Sequence, residues 1–224
     1  MTDADQESAR PRRRRRRKEA RPAEIIEAGL QEFAEHGFAA AKLDDVARRA
    51  EIAKGTIYLY FKNKEALFEA AVRSRIVPFF GSVEQMADAY PGSSADLLRT
   101  IIPQIYATVF GSDRQVLIRI ILTEGARFPE LSEFYHREVI SKGRRLLERI
   151  IRRGVERGEF HDNAVADLPI ILVAPAILAF VWKMILDRFD PIATERFAAA
   201  HADLVLEGLM KAPSGGDAGP SDGR

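Results

Sequence analysis

The residues best suited to chemistry in this chain lie between positions 42 and 64. Lysine, threonine and tyrosine occur there beside apolar residues, so hydrogen-bonding groups and positive charge are close together. Such a mixture suits contacts with phosphates and with the edges of bases. The chain has no P-loop, no Gly-x-Gly-x-x-Gly after a strand and no nucleophile elbow. We therefore expect a nucleic-acid-binding site and no enzyme activity.

The spacing of apolar residues in this segment predicts a helix-turn-helix. Residues 43–50 have the pattern of a short helix, residues 51–53 form a turn, and a second short helix follows. The residues that can pack across the turn are Val46, Ala47, Ala50, Ile52, Ile57 and Phe61. In this motif the second helix lies in the major groove of DNA.

The second helix of this motif has the composition of a strand. Residues 56–61 (Thr-Ile-Tyr-Leu-Tyr-Phe) are mostly β-branched or aromatic, which by intrinsic preference favours a sheet. A single strand would leave its backbone groups without partners, because no other segment has the pattern of a strand. We therefore predict a short helix that is held by tertiary packing.

With Ile57 and Phe61 facing inward, the rest of the second helix forms the predicted DNA surface. The predicted contacts in this segment are Lys54, Gly55, Thr56, Tyr58, Leu59, Tyr60 and Lys64. The first lysine and the threonine offer hydrogen bonds to base edges, the glycine permits a close backbone approach, and the tyrosine hydroxyls can donate to phosphates. Lys64 and the N–H groups at the start of the next helix are expected to anchor another phosphate.

Four stretches resemble the N-terminal signature of the TetR/AcrR family of transcriptional regulators: Gly37-Phe38, Val46-Ala47, Lys54 to Phe61, and Lys64 to Leu67. The resemblance covers about residues 22–70; beyond them only length and helical character agree. It implies that three N-terminal helices and the start of the fourth bind operator DNA. It also implies a ligand pocket in the later helices and a four-helix dimer interface made by the last two. The ligand would change the spacing of the two recognition helices and release the DNA.

The sequence departs from the family pattern at three places. Ala41 and Lys42 stand where a threonine or serine usually opens the second helix, so the cap is lost, although Lys42 can supply the phosphate contact. Glu51 replaces the usual glycine of the turn, and Ala53 replaces the serine before the recognition helix. Each lost cap is expected to weaken the motif by about 1 kcal/mol without abolishing it.

The whole pattern predicts an all-α chain: an N-terminal three-helix helix-turn-helix domain followed by a larger helical ligand-binding and dimerisation domain. We expect a basic disordered arm at 1–21, the DNA-binding domain at 22–75, the larger domain at 76–211 and a disordered tail at 212–224. Pro22 is expected to begin the first helix and Gly37 to end it. The predicted later helices span about 95–110, 114–127, 130–157, 164–188 and 192–210.

Positive charge is concentrated at the N-terminus. The formal net charge is +1, but residues 1–21 contain nine basic and four acidic side chains, and the basic ones include Arg12–Arg17. This run suits an arm that contacts phosphates or a minor groove, and it equally suits a solvated tail. A membrane-surface protein that uses the arginines on anionic lipid is a further alternative.

The larger domain is expected to bind a small, largely apolar effector. The predicted ligand contacts are Tyr106, Phe110, Phe128 and Trp182, from a wider aromatic set that includes Phe79, Phe80, Phe134 and Tyr135. At helical spacing such residues more often belong to the core. Arg119, Glu124 and Arg127 could add polar groups to a pocket, although a solvated helix face is the simpler interpretation.

The last two helices are apolar on more than one face, which favours a homodimer interface. Residues 168–182 carry no charge, but 15 residues with two prolines are too few for a bilayer, which needs roughly 20. No secretory signal and no cysteine are present, and the four histidines lack ligand-spaced neighbours. We expect a soluble, cytoplasmic protein without a membrane segment, a metal or a cofactor.

These features together predict a ligand-responsive transcriptional regulator, with repression as the favoured mode. A short recognition helix contacts few base pairs, so a two-fold dimer on a palindromic double-stranded operator would double the site. The alternative from another class is a helical protein–protein adaptor that retains a vestigial helix-turn-helix.

Overall fold

The structure is a computed structural model that describes the backbone of residues 4–210 and the side chains of residues 21–210, except those of Ser112, Ala164 and Val165. Helices account for most of this region, and it contains no β-strand. The predicted all-α class is therefore confirmed. The predicted tail at 212–224 and the side chains of Arg12–Arg17 lie outside the described residues.

The first four helices are α1 (Ala4–Ala40), α2 (Leu43–Arg49), α3 (Lys54–Ile57) and α4 (Lys64–Arg75). Helix α1 begins well before Pro22, where the sequence predicts its start, because the preceding segment is rich in the helix formers arginine, lysine, glutamate and alanine. Gly37 interrupts α1 with φ 73° and ψ 173°, so the predicted end of the regular helix is confirmed. Glycine adopts a positive φ without a steric penalty.

The middle of the chain contains α5 (Val77–Ala89), α6 (Ser94–Val109), α7 (Ser112–Glu124), α8 (Pro129–Tyr135) and α9 (Ser141–Glu156). Ser93 caps α6, since its hydroxyl accepts from the Asp96 N–H at 3.0 Å. The helix predicted at 130–157 is instead two α-helices joined by the π-helical turn His136–Ile140. Gly158, with φ 72°, lies just beyond the end of α9.

The last helices are α10 (Ala164–Asp167), α11 (Ala174–Ile185) and α12 (Thr194–Leu209). A single helix at 164–188 was predicted, and this prediction is wrong. A 3₁₀ helix, Pro169–Val173, separates α10 from α11. Proline lacks the N–H that a continuous helix would need at position 169, whereas Pro175 is tolerated in the first turn of α11.

The helices group into two compact units. One contains Met1–Pro78 and Ser112–Glu138, and the other contains Phe79–Gly111 and Val139–Arg224. The sequence predicts that residues 76–211 form one domain; α7 and α8 instead pack with the N-terminal helices. One cause is an aromatic contact, because the ring of Phe128 meets that of Phe38 edge-on at 5.0 Å. We call these the DNA-binding unit and the C-terminal unit.

The core of the DNA-binding unit is aromatic. Phe33 and Phe38 of α1 and Phe68 of α4 are fully buried, and their ring centroids lie 5.5 to 6.5 Å apart. Gly29 allows α4 to approach α1, since a Cβ at this position would lie 2.7 Å from Leu67 Cδ2. This core fixes the helices from which the helix-turn-helix projects.

The core of the C-terminal unit is formed mainly by α6, α9 and α12. Its most deeply buried members include Leu97, Leu98, Ile150, Ile151, Leu206 and Leu209. Gly154 of α9 provides space for the ring of Phe160, which occupies the place of a side chain there. The glycine at 154 therefore serves packing, whereas the one at 158 serves the end of the helix.

Candidate nucleic-acid interface

Helices α2 and α3 pack as the apolar spacing predicts. Val46 and Ala47 of α2 are almost completely buried, as are Ile57 and Phe61 across the turn. The burial of these four side chains confirms the inward face of the helix-turn-helix. At the other end of α2, Arg49 donates to Glu35 at 2.9 Å, which attaches this helix to α1.

The segment with strand-like composition is helical. Lys54–Ile57 forms α3, and the next residues continue as turns in which the Tyr60 and Phe61 N–H groups donate to the Ile57 carbonyl at 3.0 and 2.9 Å. The prediction of a short helix is confirmed. Burial of Ile57 outweighs the β preference of its neighbours, because fully burying such a side chain contributes about 1.5–3 kcal/mol.

The three departures from the family pattern have the expected local effects. Neither Lys42 before α2 nor Ala53 before α3 makes a side-chain cap. Glu51 adopts φ 52°, the left-handed region that glycine tolerates better. In contrast, Asn63 caps α4 by accepting from the Ala66 N–H at 2.9 Å, so the helix after the motif begins with a defined cap.

Four of the predicted contacts are exposed on α3 and the following turn: Lys54, Gly55, Tyr58 and Leu59. The exposed fractions of Tyr58 and Leu59 are 48% and 83%, so both side chains are accessible to a partner. No atom lies within 4 Å of a Cβ built at Gly55, so internal packing does not require glycine there. Lys42 is exposed as well, and Thr56 and Tyr60 are half-buried.

An acidic residue that the sequence analysis did not single out contacts this surface. Asp44, in the first turn of α2, pairs with Lys54 at 2.6 Å (Oδ2 to Nζ) and accepts from the Tyr58 hydroxyl at 3.3 Å. The hydrogen bond from Lys54 lowers the pKa of Asp44, and the same bond raises the pKa of Lys54. Ten residues separate the pair, so only the crossing of α2 and α3 brings it together.

Lys64 contacts the protein more than its predicted role suggests. Its ammonium donates to the carbonyls of Phe38 and Ala39 at 2.7 and 2.8 Å and lies 4.7 Å from the ring centroid of Phe38. Glu124 of α7 accepts from the N–H groups of the same two residues at 2.7 and 2.8 Å. The end of α1 after Gly37 is thus held by hydrogen bonds to both its carbonyl and its N–H groups.

Two polar residues considered for a pocket instead attach α7 to α1. Besides Glu124, Arg119 donates to the Ala34 carbonyl at 2.7 Å, within the last turns of α1. A sequence signal for these roles would have been hard to recognise, because the partners are backbone groups about 85 positions away.

The predicted effector residues do not all lie together. Tyr106 and Phe110 stack at 5.9 Å in the C-terminal unit, and Phe110 stacks on Phe180 at 6.1 Å. Trp182 of the same unit is half-buried, and its indole N–H donates to the Asp190 carbonyl at 2.7 Å. Phe128 belongs to the DNA-binding unit, where its ring contacts that of Phe38 at 5.0 Å, so the predicted effector residues are divided between the two units.

A buried polar chain next to Tyr106 escaped the sequence analysis. The Tyr106 hydroxyl and His201 Nδ1 lie 3.0 Å apart, and His201 Nε2 lies 2.8 Å from the Leu172 carbonyl. Since the carbonyl only accepts, Nε2 has the proton and Nδ1 accepts from the tyrosine. Burial lowers the pKa of His201 and raises that of Tyr106 to about 12, so both side chains are neutral at pH 7.

Apolar side chains on the last helices of the C-terminal unit are exposed. Leu178 and Ile185, seven residues apart on α11, each have 56% of their surface exposed, and Leu204 on α12 has 63%. The next residue after each of the two leucines, Ala179 on α11 and Val205 on α12, is buried, so both helices have a buried as well as an exposed face. Among the described residues no helix is long and apolar enough to cross a membrane, and no group of His, Asp and Glu could hold a metal.

An all-α fold with an N-terminal helix-turn-helix defines a class of DNA-binding regulators. Residues 25–71 match the family model described as bacterial regulatory proteins, tetR family. Residues 91–205 match the model described as tetracyclin repressor-like, C-terminal domain, and this match alone covers half of the chain. The chain therefore belongs to the TetR family of transcriptional regulators.

Relatives and solved structures agree with this assignment. The HTH-type transcriptional repressor SCO4008 of Streptomyces coelicolor is 31% identical over 172 residues, which cover 73% of this chain and 80% of that protein. The SmeT–triclosan complex has a TM-score of 0.75 at 21% identity, covering 86% of this chain and 92% of that one. FadR of Bacillus subtilis in complex with stearoyl-CoA has a TM-score of 0.72 at 20% identity, covering 83% and 98%. The two structures show the shared fold.

Proposed function

We propose that this regulator is a repressor that binds a palindromic operator as a homodimer and is released by a small, largely apolar effector. The proposal rests chiefly on the outer face of α3, where polar and large apolar side chains are exposed over a buried inner face. A helical hairpin that served only the core would not need this combination of exposed residues.

On DNA, α3 would enter the major groove. Lys54 and Thr56 lie at its N-terminal end, the part of a recognition helix that contacts base edges. Gly55, which has open space around it, would allow the backbone to approach the DNA closely. Leu59 would make apolar contact with a thymine methyl.

The phosphate contacts would flank this helix. Lys42 is exposed directly before α2, and Tyr60 lies at the end of the turn after α3. Lys64 uses two of its three N–H bonds on the Phe38 and Ala39 carbonyls, which leaves the third for a phosphate. Such contacts position the protein without selecting a sequence.

The dimer would form through α11 and α12, whose exposed apolar residues include Leu178, Ile185 and Leu204. A two-fold axis would place the two recognition helices about 34–36 Å apart, one turn of DNA. A regulator of this kind would act in the cytoplasm, where bacterial DNA lies.

The effector would bind in the C-terminal unit beside the stacked rings of Tyr106 and Phe110, with Trp182 as a further contact. The neighbouring structures support an apolar effector by analogy, since they hold triclosan and stearoyl-CoA. The neutral hydroxyl of Tyr106 offers one polar contact in apolar surroundings.

Selection of bound sequences from a random DNA pool tests the proposal. The wild-type chain should enrich a near-palindromic sequence, and the Thr56→Ala and Tyr58→Ala variants should lose about five- to a hundredfold in affinity for it, since a good base contact contributes about 1–3 kcal/mol. Circular dichroism should show unchanged helicity, because neither side chain is buried.

A lysine that belongs to neither the DNA-binding unit nor the proposed dimer helices provides the control: Lys142→Ala, on α9, should leave DNA binding unchanged. An adaptor with a vestigial motif would enrich no sequence at all, and this result would refute the proposal. Wild-type affinity in both α3 variants would refute the assignment of the contacts.

A further inference from the structure

Asp44 places a negative charge within the proposed DNA surface. Its carboxylate is part of the DNA-binding unit, in the first turn of α2, and one oxygen lies 2.6 Å from the ammonium of Lys54. Its other oxygen accepts from the Tyr58 hydroxyl at 3.3 Å. Two of the side chains that would contact DNA, Lys54 and Tyr58, therefore share one internal acceptor.

Stability of the fold does not explain this arrangement. Asp44 and Lys54 are both substantially exposed, and ion pairs between exposed side chains add little to stability. An acidic side chain in the first turn of α2 interacts favourably with the helix dipole, but Asp45 in the same turn already provides this interaction. The contact of Asp44 with α3 therefore requires another reason.

The geometry suggests competition with phosphate. The ammonium of Lys54 and the hydroxyl of Tyr58 are the donors that a DNA phosphate would use, and a carboxylate offers them a similar acceptor. Non-specific binding derives nearly all of its affinity from phosphate contacts, whereas an operator adds base contacts. A residue that occupies phosphate-binding donors should therefore weaken non-specific binding more than operator binding.

We propose that Asp44 is a specificity-determining residue that restrains Lys54 and Tyr58 from contacting phosphates on DNA without the operator sequence. Its negative charge repels the duplex wherever base contacts do not compensate, and its hydrogen bonds pre-orient Lys54 and Tyr58 for base contacts. The inference rests on the proposed function, because it requires that α3 contacts DNA.

The test compares Asp44→Asn with Asp45→Asn. Both variants remove one negative charge from the first turn of α2, but Asp45 pairs with Arg48 at 2.6 Å and has no such contact with α3. Equilibrium affinities are measured for a duplex selected by the wild-type chain and for a scrambled duplex of equal length, over a series of salt concentrations. Circular dichroism confirms that both variants fold.

We expect Asp44→Asn to raise the affinity for scrambled DNA about three- to tenfold, to change operator affinity less, and so to lower the specificity ratio. The slope of log affinity against log salt on scrambled DNA should steepen by about one, because one more cation contacts phosphate. Asp45→Asn should shift both affinities together and keep the ratio.

An unchanged ratio in Asp44→Asn, or the same loss of ratio in Asp45→Asn, would overturn the inference while leaving the proposed function standing. A wild-type chain that binds operator and scrambled DNA equally well would overturn both.

Discussion

At the scale of single residues, Glu124 shows how much one carboxylate can organise. It accepts from two consecutive N–H groups, those of Phe38 and Ala39, at the interrupted end of α1. Hydrogen bonds to a charged acceptor are stronger than neutral ones. A residue of α7 thus holds the end of α1 that directly precedes α2.

Replacing Glu124 with alanine should destabilise the DNA-binding unit. We expect the free energy of unfolding to fall by about 1–3 kcal/mol, because the half-buried N–H of Phe38 would lose its acceptor. Urea denaturation monitored by circular dichroism measures the change. Glu133→Ala, at an exposed position on α8, is the matched control and should stay within about 0.5 kcal/mol of wild type. Equal stability of the two variants would contradict the assigned role.

Sequence analysis predicted the single residues whose environment is local. Ile57 and Phe61 follow from helical spacing within the motif, and both are buried. Asp44 was not recognised as a partner of Lys54, because the pair depends on how two helices cross. The contact of Phe128 with Phe38 was not predicted for the same reason, since nothing near Phe128 in sequence indicates this partner.

At the scale of elements, one hydrogen-bonded chain connects three segments of the C-terminal unit. Tyr106 of α6, His201 of α12 and the carbonyl of Leu172 in the 3₁₀ helix are joined by contacts of 3.0 and 2.8 Å. Buried polar groups stabilise a fold only when they are fully paired, and here both ring nitrogens of His201 have partners.

The buried hydrogen bonds of His201 predict that the stability of the fold depends on pH. Burial lowers the pKa of His201 in the folded state below its ordinary value of 6.5, so the unfolded state binds a proton first as the pH falls. The contribution of His201 to stability is therefore complete above pH 6.5 and is lost progressively below it. Thermal denaturation between pH 5 and 8 measures the effect.

The His201→Gln variant supplies the comparison, because its amide can still donate and accept but does not titrate. Its stability should fall less steeply with acid than that of the wild type. The other three histidines are exposed and are common to both proteins, so they cancel in the difference. Parallel pH profiles would show that His201 is not the responsible group.

Elements were predicted best where a local signal begins or ends them. Gly37 and Gly158 were recognised from sequence, and both adopt a positive φ. The prediction of one helix at 164–188 is wrong because the apolar pattern continues through Pro169, whose missing N–H favours the start of a 3₁₀ helix there. The strand-like residues 56–61 form no strand, as predicted: α3 ends at Ile57, and the residues after it continue as turns, because an isolated strand has no hydrogen-bond partners.

At the scale of the whole molecule, the sequence predicted two domains but not how the chain is divided between them. Helices α7 and α8 belong to the DNA-binding unit, although their residues fall within the C-terminal family match. Hydrophobic periodicity identifies which face of a helix is buried but does not identify the helices that bury it. The contacts of Arg119, Glu124 and Phe128 decided this division, and all three involve partners far away in sequence.

The exposed apolar side chains of α11 and α12 predict that the whole molecule assembles as a dimer. Leu178 projects from α11 with 56% of its surface exposed, on the same side as Ile185 seven residues later. A glutamate at position 178 would bury an unpaired charge in the proposed interface, which is strongly unfavourable. We therefore expect Leu178→Glu to convert the dimer to a monomer, as measured by analytical ultracentrifugation.

The same variant should also lose operator affinity by about 10²-fold or more. In the dimer, binding of one recognition helix holds the second close to its half-site at a high effective concentration, and a monomer loses this advantage. Leu122→Glu is the matched control: this leucine of α7 is also exposed but lies in the DNA-binding unit, so the dimer should persist. Circular dichroism should show folded subunits in both variants. If Leu178→Glu remains dimeric at micromolar concentration and binds the operator normally, the interface lies elsewhere and α11 does not join the two subunits.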